Sequence, residues 1–332
     1  MSDSGRLWPL VGRAAELDDL EQLLTEATEG GGGAVLLEGE AGVGRTSLVA
    51  ALASGAGLLG IEVRTDRGAL EHGPVADEQG GARVPARLVV LEDVHLWGTA
   101  DLAALAGVAR GGMRPGALVV VTLRPVPHRP EVAAVVTAWT RAGARHLEVR
   151  PLPGAAATEL AEEILGASIG PALRGAVSTA GGNPQLVVDV VTTARDVGAL
   201  QAAEGGVDAV VPGWRGAVER RVRERLDYVD DDVLDLLGVA SVLGVSFVVL
   251  DLAAVAGRPV ADVWRTLRHA LAAGLVHARG DRLVFRHDVV RAALYGGLDA
   301  GARAGLHARA AAALREAGAP LAVVATHVER SR

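Results

Sequence analysis

The sequence predicts an α/β chain, with a parallel β-sheet flanked by helices over residues 1–150 and a mostly helical region after it. Three observations carry that reading. Short β-branched runs alternate with helical periodicity through the first 150 residues. A glycine-rich segment, Gly39-Glu40-Ala41-Gly42-Val43-Gly44-Arg45-Thr46, directly follows the first of those runs. From Pro151 onward the strand signal fades, and apolar residues recur at three-to-four spacing.

In chain order, strands are expected near residues 34–37, 61–64, 88–91, 118–123 and 146–149, each a run rich in Val, Leu or Ile. Residues 68–86, rich in Gly and Pro and without periodicity, read as a surface loop. Helices follow at 155–165, 170–180 and 183–197, and the Gly- and Pro-containing stretch 202–213 reads as a joint. Residues 213–297 have a different rhythm: helices at 217–226, 230–243, 250–256 and 259–273, then a hairpin over 275–286 with Gly280-Asp281 at its turn. In that hairpin Val276 and Ala278 are expected to share a face, as are Leu283 and Phe285. Helices closed by a β-hairpin form a winged-helix pattern. Two last helices, 302–316 and 321–328, read as the start of a helical array. The expected division is therefore 1–150, 151–210, 211–297 and 298–332.

Half of the chain's 332 residues are apolar and 3% are aromatic, so the core must be built mostly from Ala, Val and Leu. There is no cysteine, which excludes disulfides, thiolate metal sites and cysteine nucleophiles. There is also no lysine, and all 33 basic residues are arginine. No apolar run reaches the length of about 18 residues that spans a bilayer, and the N-terminus lacks a signal-peptide pattern, so a cytoplasmic protein without membrane contact is expected. Residues 1–212 carry 16 Arg against 26 acids (-10) and residues 213–332 carry 17 against 14 (+3). Neither half has the strongly basic balance of a nucleic-acid-binding face, so direct DNA binding is not expected.

The glycine segment has the form G-x-x-x-x-G-[K/R]-[S/T] behind a strand and ahead of a helix. That spacing lets successive backbone N–H groups converge on an anion while the helix directs its positive end to the same point. Gly39, Ala41, Gly42, Val43 and Gly44 would cradle phosphate, Arg45 would supply the charge usually given by lysine, Thr46 a hydroxyl for Mg²⁺, and Ser47 opens the helix. The acids closing the apolar run 88–91 suit the same chemistry, with Glu92 at the metal position and Asp93 positioned to orient an attacking water. Arg124 closes the run 117–123, where it either reads a γ-phosphate or is a solvated loop charge. His95 and Trp97, just beyond the acids, are expected to be packing and loop residues.

Six segments, in order, resemble one family: Val11-Gly12-Arg13 with Glu16-Leu17 (its VGRExEL), GEAGVGRTS, LVVLEDVHLW (its LVVLDDxHW), VVVTLRP, GGNPQLVVDV (its GNPL), and FRHDVVRAALY with RAGLHARAAAAL. The chain resembles the signal-transducing P-loop ATPases with numerous domains (STAND), and within them the large ATP-binding LuxR-type transcriptional regulators of actinobacteria. The resemblance implies an AAA-like P-loop nucleotide-binding domain over 1–150, a helical lid over 151–210 and a winged-helix domain over 211–297. It implies that Val11, Gly12 and Arg13 approach adenine, that Arg45 and Thr46 meet the phosphates and Mg²⁺, and that Arg124 acts as a sensor. It also implies that Pro184 lies near the base and that His287 approaches the β-phosphate, although His287 stands at a helix start where capping or packing would equally explain it.

The chain departs from the family at Arg45, in the order Glu92-Asp93, in the short interval between loop and acids, and in lacking helical repeats and a C-terminal helix-turn-helix within these residues. The guanidinium is larger than an ammonium and prefers bidentate contacts, so it should crowd a γ-phosphate. The expected function is an ATP/ADP-binding regulatory switch with slow or lost hydrolysis, acting through a protein partner or self-association. The alternative is a nucleotide-free interaction scaffold.

Overall fold

The computed structural model describes residues 9–65, 86–111, 115–125, 128–203 and 205–332. The chain divides into two compact units, residues 1–150 and 151–332. Of the expected surface loop, residues 68–85 lie outside the described residues.

The first unit is a five-stranded sheet between two helical layers. Its elements run α1 (Ala14–Thr28), β1 (Gly33–Gly39), α2 (Arg45–Leu58), β2 (Glu62–Arg64), β3 (Arg87–Leu91), a 3-10 turn (Val94–Leu96), α3 (Thr99–Arg110), β4 (Ala117–Leu123), α4 (Pro130–Arg141) and β5 (Arg145–Val149). All strand pairs are parallel, in the order β2-β3-β4-β1-β5. The two-residue period of a strand divides the core cleanly. Val35, Leu37, Leu88, Val90, Leu118 and Val120 pack with α1 and α2, while Ala34, Leu36, Val89, Leu91, Val121 and Leu123 pack with α3 and α4. Strands buried on both faces must read as continuous apolar runs, which is why they were visible in the sequence. Each Val or Leu removed from water contributes about 1.5–3 kcal/mol. With β4 central and β3 and β1 on either side of it, the carboxyl ends of these three strands come together, so residues 39–46, 92–93 and 124 share one rim.

The second unit begins with α5 (Gly154–Leu165), α6 (Pro171–Ser178) and α7 (Pro184–Asp196). The stretch expected to be a joint is instead an antiparallel hairpin, β6 (Leu200–Ala203) with β7 (Gly206–Ala209). Its Asp208 carboxylate accepts hydrogen bonds from Ala172 N (3.1 Å) and Leu173 N (2.7 Å) at the start of α6. Then come α8 (Trp214–Glu224), α9 (Asp231–Leu243), β8 (Ser246–Phe247), α10 (Val249–Ala256), α11 (Val260–Ala272), β9 (Val276–Arg279) and β10 (Arg282–Phe285). The hairpin β9–β10 stands where expected and gains β8, giving a three-stranded sheet in the order β8-β10-β9. Leu283 and Phe285 are buried, as is Val276, but Ala278, opposite Leu283 on the edge strand β9, is exposed.

The unit ends with α12 (Asp288–Gly297), α13 (Ala300–Glu316) and α14 (Leu321–Arg330). Asp299 accepts from Ala302 N at 2.8 Å, so α13 starts two residues earlier than expected. A buried carboxylate, Asp189 on α7, is compensated from α8 by Arg225, whose Nε lies 2.5 Å from Oδ2, and by Arg221 at 3.7 Å. Among the described residues, no helix is long and apolar enough to cross a membrane.

Candidate nucleotide site

The loop after β1 takes its shape from its glycines. A β-carbon on Gly39 would come within 2.7 Å of Val43 Cγ1 and 3.0 Å of the Val149 carbonyl oxygen, so no larger residue fits. Gly42 (φ 76°) and Gly44 (φ 103°) are left-handed, the conformation that turns successive N–H groups toward one point. Gly44 is also the N-cap of α2 and has no side chain to satisfy the helix's first N–H groups, which suits that end to an oxyanion. Val43 is fully buried and anchors the loop, Ala41 and Ser47 are half-buried, and the Thr46 side chain stands exposed at the rim.

Arg13 braces this loop from below. Its buried guanidinium donates from Nη2 to the Val43 carbonyl (2.9 Å) and pairs through Nη1 with Glu16 (2.8 Å). Val11 and Gly12 (φ 65°) form the turn that leads into α1. The contact between Arg13 and Val43 spans thirty positions of sequence and had no signal there.

Arg45, the first residue of α2, is buried and points to the acids beyond β3. Its Nη2 lies 3.0 Å from Asp93 Oδ1, and its Nη1 is buried without a hydrogen-bond partner. Burial lowers the pKa of this guanidinium, Asp93 opposes the shift, and Arg124 reinforces it. Asp93 is the one non-glycine residue with positive φ (47°) among the described residues, and its backbone N–H donates to Thr122 Oγ1 at 2.8 Å. Thr122 falls on the strand face shared with α2, so β4 fixes the direction in which Asp93 presents its carboxylate.

Glu92 is exposed, and its carbonyl accepts from Trp97 Nε1 at 3.1 Å. Desolvation at its carboxyl and the adjacent Asp93 raise its pKa, with Arg45 opposing. Arg124 lies near enough to act electrostatically on both Arg45 and His95, and its carbonyl is 2.7 Å from His128 Nε2. Arg45, Glu92, Asp93 and Arg124 thus share one charged neighbourhood with the loop. His95 belongs to it too, with its Nδ1 3.9 Å from Asp93 Oδ1.

Pro184 and His287 lie in the second unit. Pro184 is the first residue of α7, behind the Asn183 cap whose Oδ1 accepts from Gln185 N (3.1 Å) and Leu186 N (3.3 Å). His287 is buried at the N-cap position of α12, and a β-carbon on Gly181 would reach within 2.8 Å of its Nδ1. The GGNP and FRHD segments therefore pack on each other, joined also by the Val289 N–H donating to Thr179 O at 3.1 Å.

Residues 9–72 match the family model described as an AAA ATPase domain. No curated protein matches the sequence. Among solved structures, the chain is similar to the Walker-type ATPase paby2304 of Pyrococcus abyssi, at 15% identity and TM-score 0.55, covering 86% of this chain and 96% of that one. It is also similar to the Aeropyrum pernix ORC2 protein, solved in ADPNP-ADP complexes, at 14% identity and TM-score 0.51, covering 88% and 96%. A weaker likeness, to the Aeropyrum pernix ORC1 protein in complex with DNA, has 15% identity and TM-score 0.48, covering 87% and 93%. The first unit has an AAA-type P-loop ATPase fold, with a five-stranded parallel sheet.

Proposed function

We propose that this chain is a STAND-type ATP/ADP-binding regulatory switch, related to the LuxR-type regulators, in which Arg45 holds nucleotide and slows hydrolysis. The observation that carries this reading is the Arg45 guanidinium at the start of α2, with one nitrogen on Asp93 and the other buried and unsatisfied. A buried N–H without an acceptor costs about 1–3 kcal/mol, which a phosphate oxygen on the loop would recover. Arg45 stays charged despite its burial, so it would draw an anion to the cradle of Gly42 and Gly44.

Thr46 and Glu92 would hold Mg²⁺ together with the nucleotide's own oxygens, since this cation takes few protein ligands. When bound, the ion would neutralise charge on the terminal phosphates. Asp93 would orient water but is engaged by Arg45 at 3.0 Å, so the nucleotide's arrival and the freeing of Asp93 are coupled. Arg124 would sense the terminal phosphate, and Val11, Gly12 and Arg13 would shape the side of the loop nearest the base. Pro184 and His287 are assigned to base and β-phosphate respectively. The 151–210 lid, the 211–297 winged helix and the 298–332 array are assigned as the parts that read out nucleotide state to a protein partner in the cytoplasm. The β8-β10-β9 sheet with α9, α10 and α11 supports the winged-helix assignment.

The test is calorimetric titration with MgADP and MgATP, together with steady-state phosphate release, for the native chain, Arg45→Lys and Arg45→Ala. The native chain should bind both nucleotides and turn over slowly, and Arg45→Lys should raise turnover on the order of a hundredfold by restoring phosphate position. Arg45→Ala should lose most of the affinity. Rapid native turnover would remove the slowed-hydrolysis claim, and no binding by the native chain would leave the interaction scaffold.

A further inference from the structure

His95 is the least satisfied polar side chain in the charged neighbourhood of the loop. Its side chain is 12% exposed, and both ring nitrogens are buried without a hydrogen-bond partner. Burial first, and the charge of Arg124 next, hold its pKa at about 4, so the ring is neutral at neutral pH and offers one N–H and one lone pair. A residue serving only to pack the turn would be better replaced by an apolar one, because an unpaired buried polar group weakens the fold.

The turn that carries the ring is pinned on both sides. Trp97 donates from Nε1 to the Glu92 carbonyl, and Arg129 Nη2 donates to the carbonyls of His95 (3.1 Å) and Trp97 (2.7 Å). The nearest carboxylate oxygen is Asp93 Oδ1, 3.9 Å from Nδ1 and already taken by Arg45 at 3.0 Å. Asp93's own backbone is fixed by Thr122, so its carboxylate can move only by side-chain rotation.

We infer that His95 is a positioning residue that takes over the Asp93 carboxylate when Arg45 turns from it to a bound phosphate. The inference rests on the nucleotide-site reading above. Loss of Arg45 strips Oδ1 of its donor at the moment Asp93 must be held in place. The His95 N–H has only to close by about 1 Å to reach hydrogen-bonding distance. One unsatisfied donor and one newly unsatisfied acceptor then satisfy each other, and the exchange favours the nucleotide-bound state. His95 acts through Asp93 and touches no reacting atom.

The experiment compares native protein, His95→Phe, His95→Gln, Asp93→Asn and the double variant His95→Phe/Asp93→Asn. Each is measured for thermal stability without nucleotide and for MgATP affinity by calorimetry. His95→Phe should leave the nucleotide-free Tm unchanged or higher and weaken MgATP binding on the order of tenfold, the value of one hydrogen bond to a charged group. His95→Gln, which keeps a donor, should restore most of that affinity. In the Asp93→Asn background, where the neutral amide oxygen is a weaker acceptor than the carboxylate, adding His95→Phe should cost distinctly less affinity than it does in the native background, because the two act as one unit. A lower nucleotide-free Tm with native affinity, or an equal affinity loss in both backgrounds, would overturn the hand-over. If the native chain binds MgATP and His95→Phe binds it equally well, the hand-over alone fails. If the native chain binds none, the nucleotide-site reading fails and takes the hand-over with it.

Discussion

The buried histidine pair in the last helices makes stability depend on pH with a sign and size that can be worked out. His307 on α13 is fully enclosed, with Nδ1 2.9 Å from His327 Nδ1 on α14 and Nε2 3.0 Å from the Tyr295 hydroxyl on α12. Burial first, then His327 and Arg330, lowers its pKa to about 4, and His327 is lowered by burial and Arg330. The unfolded imidazole titrates near 6.5, so below that pH the unfolded chain binds the proton first. Stability from this group is intact above about pH 6.5 and is lost as pH falls toward 4. At pH 5 the loss from His307 alone is about 2 kcal/mol, and it levels off near about 3 kcal/mol below pH 4. For a unit of this size that is a Tm fall of roughly 4–8 °C between pH 8 and pH 5. The assay is thermal unfolding by circular dichroism at pH 8, 6.5 and 5 for the native chain and His307→Gln, which keeps a polar partner for Tyr295. Asp189, Glu219 and Glu92, whose pKa values are raised by burial, act with the opposite sign but are common to both proteins and cancel in the difference. Parallel curves for the two proteins would refute the reasoning.

Two further outcomes follow from backbone geometry. Gly39→Ala should displace the loop, because its β-carbon meets Val43 and an immovable carbonyl at Val149; calorimetry should read at least a tenfold loss of MgADP affinity, roughly 1.4 kcal/mol or more. Asp208→Ala should strip the start of α6 of its acceptor and cost about 1–2 kcal/mol, read as a lower Tm, with MgADP affinity unchanged.

The three inner strands β1, β3 and β4 are legible because burial on both faces leaves them little choice but Val, Leu and Ala, whereas the edge strands β2 and β5 show only short apolar alternation. The hairpin β6–β7 was not, since Leu200–Ala203 and Gly206–Ala209 hold little β-branched content and are stabilised by what Asp208 does for a helix thirty-five residues earlier. The two-residue strand β8 was too short to carry any periodicity. In the candidate site, loop and acids could be read from local spacing, and so could the place of Arg124 at a strand end. The pairing of Arg45 with Asp93, the brace from Arg13 to Val43 and the unsatisfied ring of His95 could not, because each depends on segments distant in sequence being brought together by the fold. Nothing in the sequence context of His95 distinguishes a satisfied packing imidazole from an orphaned one.

The left-handed backbone of Asp93 has a practical consequence. On conformational grounds glycine would be favoured there by roughly 1 kcal/mol, so most other side chains at this position would add backbone strain. Asparagine shares aspartate's tolerance of that conformation and nearly its shape. Substitution by asparagine is therefore close to a pure change of charge, free of the backbone relaxation that complicates alanine or glycine variants, and it gives an unusually clean electrostatic probe of the rim.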